Sequence, residues 1–343
     1  MSTTIVVEEE IVNPTAAGPV SIRELVDMPD VELEDWFRDL IRDGYCVVKG
    51  AVSREHAAEY VEAVYQWLDS FNMGFDRNDP RTFHKDYLPV IANKGICKDY
   101  GVSHEDFVWQ VRSEPGVIGA FARIWGTDDL IVSFDAINIS LPNRTDMPPN
   151  TPWPHQDQDP ARPGFRCLQG LVNLLPNGPN DGGLVVCKGG HKLSDQFHRH
   201  FKSETNTFEI WSKEYYVYTD EGLKWLKDHG CEWVKVDAEP GDLLLWDSRT
   251  PHYNMSPEGD NARLAVYTCY MPVADATQED LQRKKAAFES RLSTSHWPDV
   301  QYVSQNTPMR DGKLDDHVRE KPLKEPKLSD RAFKLTGIPY IKE

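Results

Sequence analysis

The chain has 343 residues, of which 39% are hydrophobic and 27% charged, with a formal net charge of −17. That is long enough to bury a substantial core, ordinary for a globular protein in water, and free of any apolar run of about 18 residues that would predict a membrane helix. The negative balance repels phosphate backbones and anionic lipid, so the sequence predicts no nucleic acid and no membrane as partner; a small-molecule substrate is expected, and a homodimer stays open.

Residues 1–29 read as an N-terminal arm with a short strand at 4–7. The acidic opening lacks the basic and apolar regions of a signal peptide, and the ending Tyr340-Ile341-Lys342-Glu343 is not a peroxisomal tripeptide. Six cysteines without a C-x-x-C spacing read as reduced thiols, so the expected location is cytoplasmic. Asp30 can cap a helix carrying Leu33, Trp36, Phe37, Leu40 and Ile41 at helical spacing, which Gly44 stops. Residues 45–48 read as a strand. Ser53 opens a second helix with Ala57, Tyr60, Val61, Val64, Tyr65 and Leu68 on one stripe. The segment 72–102 is rich in Asn, Asp, Gly and Pro, and such a long loop is a candidate lid over 72–90, with Lys85 reaching inward. Residues 159–164 and 195–215 are further lid candidates. Helical patterns resume at 103–113 and 114–125.

From Leu130 the pattern changes to short strands at 131–141, 167–175, 184–187, 232–236, 243–247 and 264–271, separated by Gly, Pro, Asn and Asp turns. Many short, punctuated strands predict a mainly β fold with flanking helices, an antiparallel sandwich or jelly roll. A polar and aromatic insert near 190–230 interrupts them. A last helix over 277–292 carries Thr277 and Asp280 at capping-box spacing. The expected organisation is one domain over 30–295 and an extended C-terminal tail over 296–343.

Three H-x-D triplets occur: His84/Asp86, His104/Asp106 and His155/Asp157. The first lies in a loop. The second lies at a helix start, where residues two apart do not share a face. The third lies in an extended setting, where residues i and i+2 point the same way and can reach one metal. Asp159 is a rival carboxylate on that face. The third ligand is expected from afar. Strand 243–247 is broken by Ser248-Arg249-Thr250-Pro251, and His252 follows; after a turn-rich loop, Arg263 opens the next strand. This order predicts His252 and Arg263 on neighbouring strands facing one cavity.

Two His and one carboxylate bind one face of iron(II) and leave three positions open. An oxo-acid can chelate through two of these and dioxygen take the last. Its far carboxylate then needs a cation in a dry pocket, and a guanidinium fits that geometry. Zinc would accept the same three ligands; Arg263 favours iron and an oxo-acid. A zinc hydrolase and a non-catalytic jelly-roll binding protein are the alternatives. Trp153, Trp246, Phe83 and Phe165 can line an apolar pocket, though such residues are more often core.

These features together resemble the phytanoyl-CoA dioxygenase family of iron(II)/2-oxoglutarate oxygenases. The resemblance rests on His155-Gln156-Asp157, on Gly182-Gly183-Leu184-Val185-Val186-Cys187-Lys188-Gly189-Gly190-His191, on Gly241-Asp242-Leu243-Leu244-Leu245-Trp246-Asp247-Ser248-Arg249, and on His252 with Arg263, and it covers about residues 30–275. It implies a double-stranded β-helix (a cupin-like jelly roll), with His155, Asp157 and His252 as iron ligands and catalytic centre. It also implies Arg263 as the clamp for 2-oxoglutarate, and Gln169 and Asn254 at cosubstrate-contacting positions. Asn254 stands where a hydroxyl residue is common, and Gly190 where the family usually has Ser, so His191 reads as a loop-fixing residue. The carboxylate of Asp157 disfavours halogenation. The implied reaction consumes 2-oxoglutarate and dioxygen, releases succinate and carbon dioxide, and oxidises, most simply hydroxylates, an unactivated C–H of a small metabolite. With no basic patch for a CoA phosphate, a secondary metabolite or amino-acid-like molecule is the preferred substrate.

Overall fold

The computed structural model describes residues 33–148, 150–202, 215–299 and 302–342; the strand expected at 4–7 and the Asp30 cap lie outside them. Among the described residues no helix is long and apolar enough to cross a membrane.

The first elements form as their sequence dictates. Helix α1 (Asp35–Asp43) buries Phe37 and Leu40 and stops at Gly44, which adopts φ +83° and donates its N–H to Leu40 O. A Cβ at Gly44 would lie 2.4 Å from His191 Nδ1, so conformation and space both require glycine. Strand β1 (Tyr45–Val48) follows at once. Helix α2 (Arg54–Asp69) starts at Ser53, whose Oγ accepts from the His56 N–H at 3.0 Å, and buries Ala57, Tyr60, Val61, Val64, Trp67 and Leu68. After β2 (Ile96–Cys97) come α3 (Asp106–Ser113) and α4 (Pro115–Trp125).

The β-rich part contains β3 (Leu130–Val132), β4 (Ile137–Ser140), β5 (His155–Gln156), β6 (Leu168–Asn173) and β7 (Gly183–Lys188). Next come α5 (Gly190–His200), β8 (Tyr216–Val217), α6 (Asp220–Asp228), β9 (Glu232–Lys235) and β10 (Leu243–Asp247). It closes with β11 (His252–Met255), β12 (Arg263–Tyr267), β13 (Tyr270–Pro272) and α7 (Gln278–Glu289), the last opened by the Thr277/Asp280 capping box. A hairpin, β14 (Met309–Arg310) and β15 (Lys313–Leu314), and the short α8 (Asp330–Leu335) follow.

The main sheet has the order β1-β10-β6-β12-β4-β2 and the second sheet β8-β5-β11-β7-β9, with antiparallel pairing throughout. The two form a double-stranded β-helix, a jelly roll. One core packs Trp67, Trp109, Phe121 and Ile124 of the helices against Leu168, Val172, Leu243, Leu245 and Val266 of the main sheet. A smaller core of Leu171, Leu184, Val186, Leu244, Trp246 and Ala265 lies between the sheets. Each such side chain contributes about 1.5–3 kcal/mol by leaving water.

Two predicted strands are each broken in two. Residues 131–141 split because 133–136 leave the sheet: β4 joins the main sheet, while β3 pairs with β13. Residues 264–271 split at Thr268 and Cys269, whose N–H and carbonyl bond Gly170 O and the Ser133 N–H. The segment expected as an extended tail packs back on the body. Asp315, 2% exposed, accepts from the Tyr100 hydroxyl at 2.6 Å and from Arg310 Nη2 at 3.0 Å. Glu105 accepts from the Lys324 N–H at 3.0 Å. The candidate lid 72–90 is tied to this segment and not to the cavity between the sheets: Lys85 Nζ donates to Asp311 at 2.8 Å, and Arg310 Nη2 to Leu88 O at 2.8 Å.

Candidate metal centre

A cavity of about 620 Å³ opens between the sheets, and His155, Asp157 and His252 line it. Strand β5 is only two residues long, but its register fixes the site: His155 lies directly opposite His252 on β11. Alternation then turns Gln156 away. Its Oε1 accepts from the Tyr218 hydroxyl at 2.9 Å and from His198 Nε2 at 3.1 Å, under α5. Asp157 returns to the cavity side, its N–H bonded to Ser248 O at 3.1 Å.

The three side chains offer ligand atoms that all lie within 4.8 Å of one another. His252 Nε2 is 3.1 Å from Asp157 Oδ2, and His155 Nε2 is 3.5 Å from Oδ1. Both imidazoles are oriented from behind. His155 Nδ1 donates to Trp153 O at 2.8 Å and His252 Nδ1 to Thr250 O at 2.9 Å. Each bond fixes the tautomer that leaves the Nε2 lone pair free for a metal. Gln169 Nε2, on β6, donates to Asp157 Oδ2 at 2.8 Å and holds the carboxylate rotamer.

The electrostatics match a cation site. Burial opposes a charged Asp157, yet His155 and His296 hold its carboxyl well below the ordinary range. Burial opposes protonation of His155, but Asp157 outweighs it and raises the pKa. Burial and His155 together lower that of His252. A dipositive ion would remove this competition by supplying the positive charge itself.

Arg263 lies at the other end of the cavity. It opens β12, opposite Ser140, and is 2% exposed. Its Nη1 has no hydrogen-bond partner among the described residues. Burial pulls its pKa down and the Tyr267 hydroxyl beside it pushes it up. Gln169 Oε1, Asn254 Oδ1 and Trp246 Nε1, on residues that also line this cavity, are buried without partners among the described residues. Asn254 Nδ2 donates to Lys94 O at 2.9 Å, so this side chain also holds the 93–96 loop at the mouth. Four unpaired polar atoms around one cavity fit a polar ligand that completes them. The donor set fits iron(II), and the guanidinium fits the far carboxylate of a 2-oxo-dicarboxylate.

One geometric expectation is corrected. His252 and Arg263 are not on neighbouring strands: β11 pairs with β5 and β7 in the second sheet, β12 with β4 and β6 in the main sheet. They face one cavity from opposite walls, because the loop between them crosses from sheet to sheet.

The other candidates lie elsewhere. Asp159 closes a turn by accepting from the Ala161 N–H at 2.8 Å. His104 is fully buried against Leu292 O, and His84 pairs with Asp86 in the outer loop. His191 Nε2 bonds Ile41 O at 3.2 Å and joins α5 to the end of α1. Trp153 and Trp246 line the cavity, whereas Phe83 and Phe165 pack in the helical core. Residues 159–164 are folded over Gln158, whose Nε2 donates to Arg162 O and Gly164 O; residues 203–214 lie outside the described residues. Asp135 and His296 are among the cavity residues that escape sequence reasoning. The one signal for Asp135 is a charge inside an otherwise apolar strand pattern; for His296 there is none.

A family model described as phytanoyl-CoA dioxygenase matches residues 40–258. The chain is 41% identical over 300 residues to "Ava biosynthesis cluster protein O" of Aspergillus versicolor, covering 87% of this chain and 96% of the relative. Among solved structures it is similar to EctD from S. alaskensis with bound Fe, with a TM-score of 0.50 and 16% identity, over 76% of this chain and 80% of that one. It is also similar to the epimerase SnoN in complex with Fe3+, alpha ketoglutarate and nogalamycin RO, with a TM-score of 0.49 and 18% identity, over 86% and 95%.

Proposed function

We propose that this chain, which belongs to the phytanoyl-CoA dioxygenase family and is a non-haem iron, 2-oxoglutarate-dependent dioxygenase, hydroxylates an unactivated C–H of a small secondary metabolite. His155, Asp157 and His252 would hold iron(II) on one face. Arg263 would pair with the distal carboxylate of 2-oxoglutarate, with Asn254 and Gln169 completing the cosubstrate contacts. When bound, iron, 2-oxoglutarate and dioxygen supply the oxidant: the oxo-acid leaves as succinate and carbon dioxide, one oxygen atom enters succinate and the other the substrate.

The chain's own residues do the rest. Trp153 O and Thr250 O hold the two imidazoles by their Nδ1 atoms, and Gln169 holds the carboxylate. Leu171, Leu184 and Trp246 give the space between metal site and Arg263 an apolar lining, which disfavours water there and strengthens charge interactions. The observation that carries the reading is the unpaired Nη1 of Arg263, buried across the cavity from the triad. A zinc hydrolase would leave that nitrogen unused. The relative from a biosynthesis cluster supports a secondary-metabolite substrate.

The direct test is succinate release from 2-oxoglutarate by the full chain with iron(II) and ascorbate. The wild type is expected to form succinate above a heat-inactivated control, and a metabolite extract to raise the rate. His155→Ala and Asp157→Ala are expected to fall to background. Zinc in the purified protein together with no succinate from any extract would sink the proposal.

A further inference from the structure

Asp135 lies in the 133–136 loop, where the strand pattern breaks between β3 and β4, and it lines the same cavity as the triad. Its backbone carbonyl is anchored by Arg112 Nη2 at 2.8 Å, and its Oδ1 accepts from the Ala136 N–H at 2.6 Å. The residue is half-buried in the cavity wall, and no ion pair to its carboxylate is found among the described residues. Burial pushes its pKa up, opposed by His296 and Arg112. His296 is delivered from the segment after α7 and donates from Nε2 to Asp157 O at 3.3 Å. Trp153, 49% exposed, lines the same cavity; it stacks on His155 at 4.1 Å and meets Tyr215 edge-on at 5.9 Å.

Charge balance shows what is missing. In the loaded site the metal's two positive charges and the one of Arg263 match the single charge of Asp157 and the two of 2-oxoglutarate. Asp135 remains, and the other basic residues lining the cavity, His296 and Lys94, bond other groups: His296 the Asp157 carbonyl and Lys94 the neutral oxygens named next. Lys94 stands at the mouth, where its ammonium is taken by Asn150 Oδ1 at 2.6 Å and Thr151 O at 2.8 Å. A carboxylate half-buried in a cavity without an ion-pair partner carries a desolvation cost. A substrate cation would remove that cost, and the net charge of −17 favours its approach.

We propose that Asp135 is a specificity residue, and that the substrate is an aromatic molecule bearing a basic nitrogen, which Asp135 receives while the ring packs on the exposed part of Trp153. This rests on the dioxygenase reading above and names its substrate class. A carboxylate accepting a charged N–H and an aromatic face beside it are mutually reinforcing for such a ligand.

The test uses the full chain loaded anaerobically with iron(II) and 2-oxoglutarate, titrated calorimetrically with tryptamine and with tryptophol, which differ only in amine against hydroxyl. Tryptamine is expected to bind about tenfold more tightly, the size of one charged hydrogen bond, and in Asp135→Asn the preference is expected to fall below about twofold. Equal binding of the two probes in the wild type, binding of neither, or a preference that survives in Asp135→Asn overturns the proposal. Equal binding is also the result if His296 already neutralises Asp135. If Asp135→Asn does not fold, Asp135→Ser takes its place, and the wild-type comparison stands without either. Titration with 2-oxoglutarate alone separates the two levels. Its failure in the wild type sinks the dioxygenase reading; its success with no amine preference sinks only the role of Asp135.

Discussion

Arg263 is buried where a cation is costly, and the cost is offset only if an anion completes it. Arg263→Ala is expected to raise the 2-oxoglutarate concentration for half-maximal succinate release by about 100-fold, the loss of a charge-assisted bidentate pair. Arg263→Lys should recover part of it, since an ammonium keeps the charge but not the fork. An unchanged requirement in Arg263→Ala would refute the clamp. His104 sits at the opposite pole, a histidine with no ligand role. Burial among Trp109, Phe134 and Phe288 lowers its pKa from 6.5 to about 3. Between those values the unfolded chain binds the proton and the folded chain does not. Stability therefore falls as pH drops from 6.5 toward about 3, by several kcal/mol in the limit. His104→Gln should flatten that part of the pH dependence in chemical denaturation; an unchanged slope would show that other groups set it. At this scale the sequence separates its three H-x-D triplets by backbone type, and among the described residues His155/Asp157 is the one that meets a third ligand atom, because extended and helical backbones aim side chains differently. It is silent on Asp135 and His296, which become neighbours of the metal site only through tertiary packing.

Strand β7 shows how one element carries structure and site together. Gly183 opens it at φ +98°, and a Cβ there would lie 2.9 Å from Arg263 Nε and 3.0 Å from Asn177 Oδ1. Gly183→Ala is expected to cost about 1–3 kcal/mol from backbone strain and, separately, to weaken 2-oxoglutarate binding by displacing the guanidinium. A thermal melt and a 2-oxoglutarate titration read the two effects independently, and a variant with normal binding would show that Arg263 can yield. Most strands were legible, since turn residues bracket them and β-branched residues fill them. Which sheet each strand joins was not. The breaks at 133–136 and at Thr268–Cys269 depend on bonds between Ser133 and Cys269 and between Thr268 and Gly170, partners that local pattern cannot see. The same blindness put His252 and Arg263 side by side when they face each other.

On the scale of the molecule, the C-terminal segment braces the helical layer. Buried Asp315 joins buried Tyr100, half-buried Arg310 and exposed His317 in one cluster, and its pKa is lowered to about 2: burial works against it, but these bonds outweigh it. Its stabilisation is fully present above the ordinary value of 3.8 and is lost as pH falls through about 2. Asp315→Asn is expected to cost about 2–4 kcal/mol at neutral pH. Denaturant midpoints would check this, and a cost under about 0.5 kcal/mol would place the segment among ordinary surface. Composition gave no hint of this brace, because a charged, Pro-interrupted stretch reads as extended until its partners are known.

The triad and Arg263 stand on opposite sheets, and this has a consequence for selectivity. The gap between the sheets is set by Leu171, Leu184, Val186 and Trp246 packed between them, and close packing of this kind resists adjustment. If Arg263 takes the far carboxylate as proposed, the cavity selects on carbon-chain length. Oxaloacetate, one methylene too short, and 2-oxoadipate, one too long, should each reach one wall and miss the other, although both carry the same reactive end.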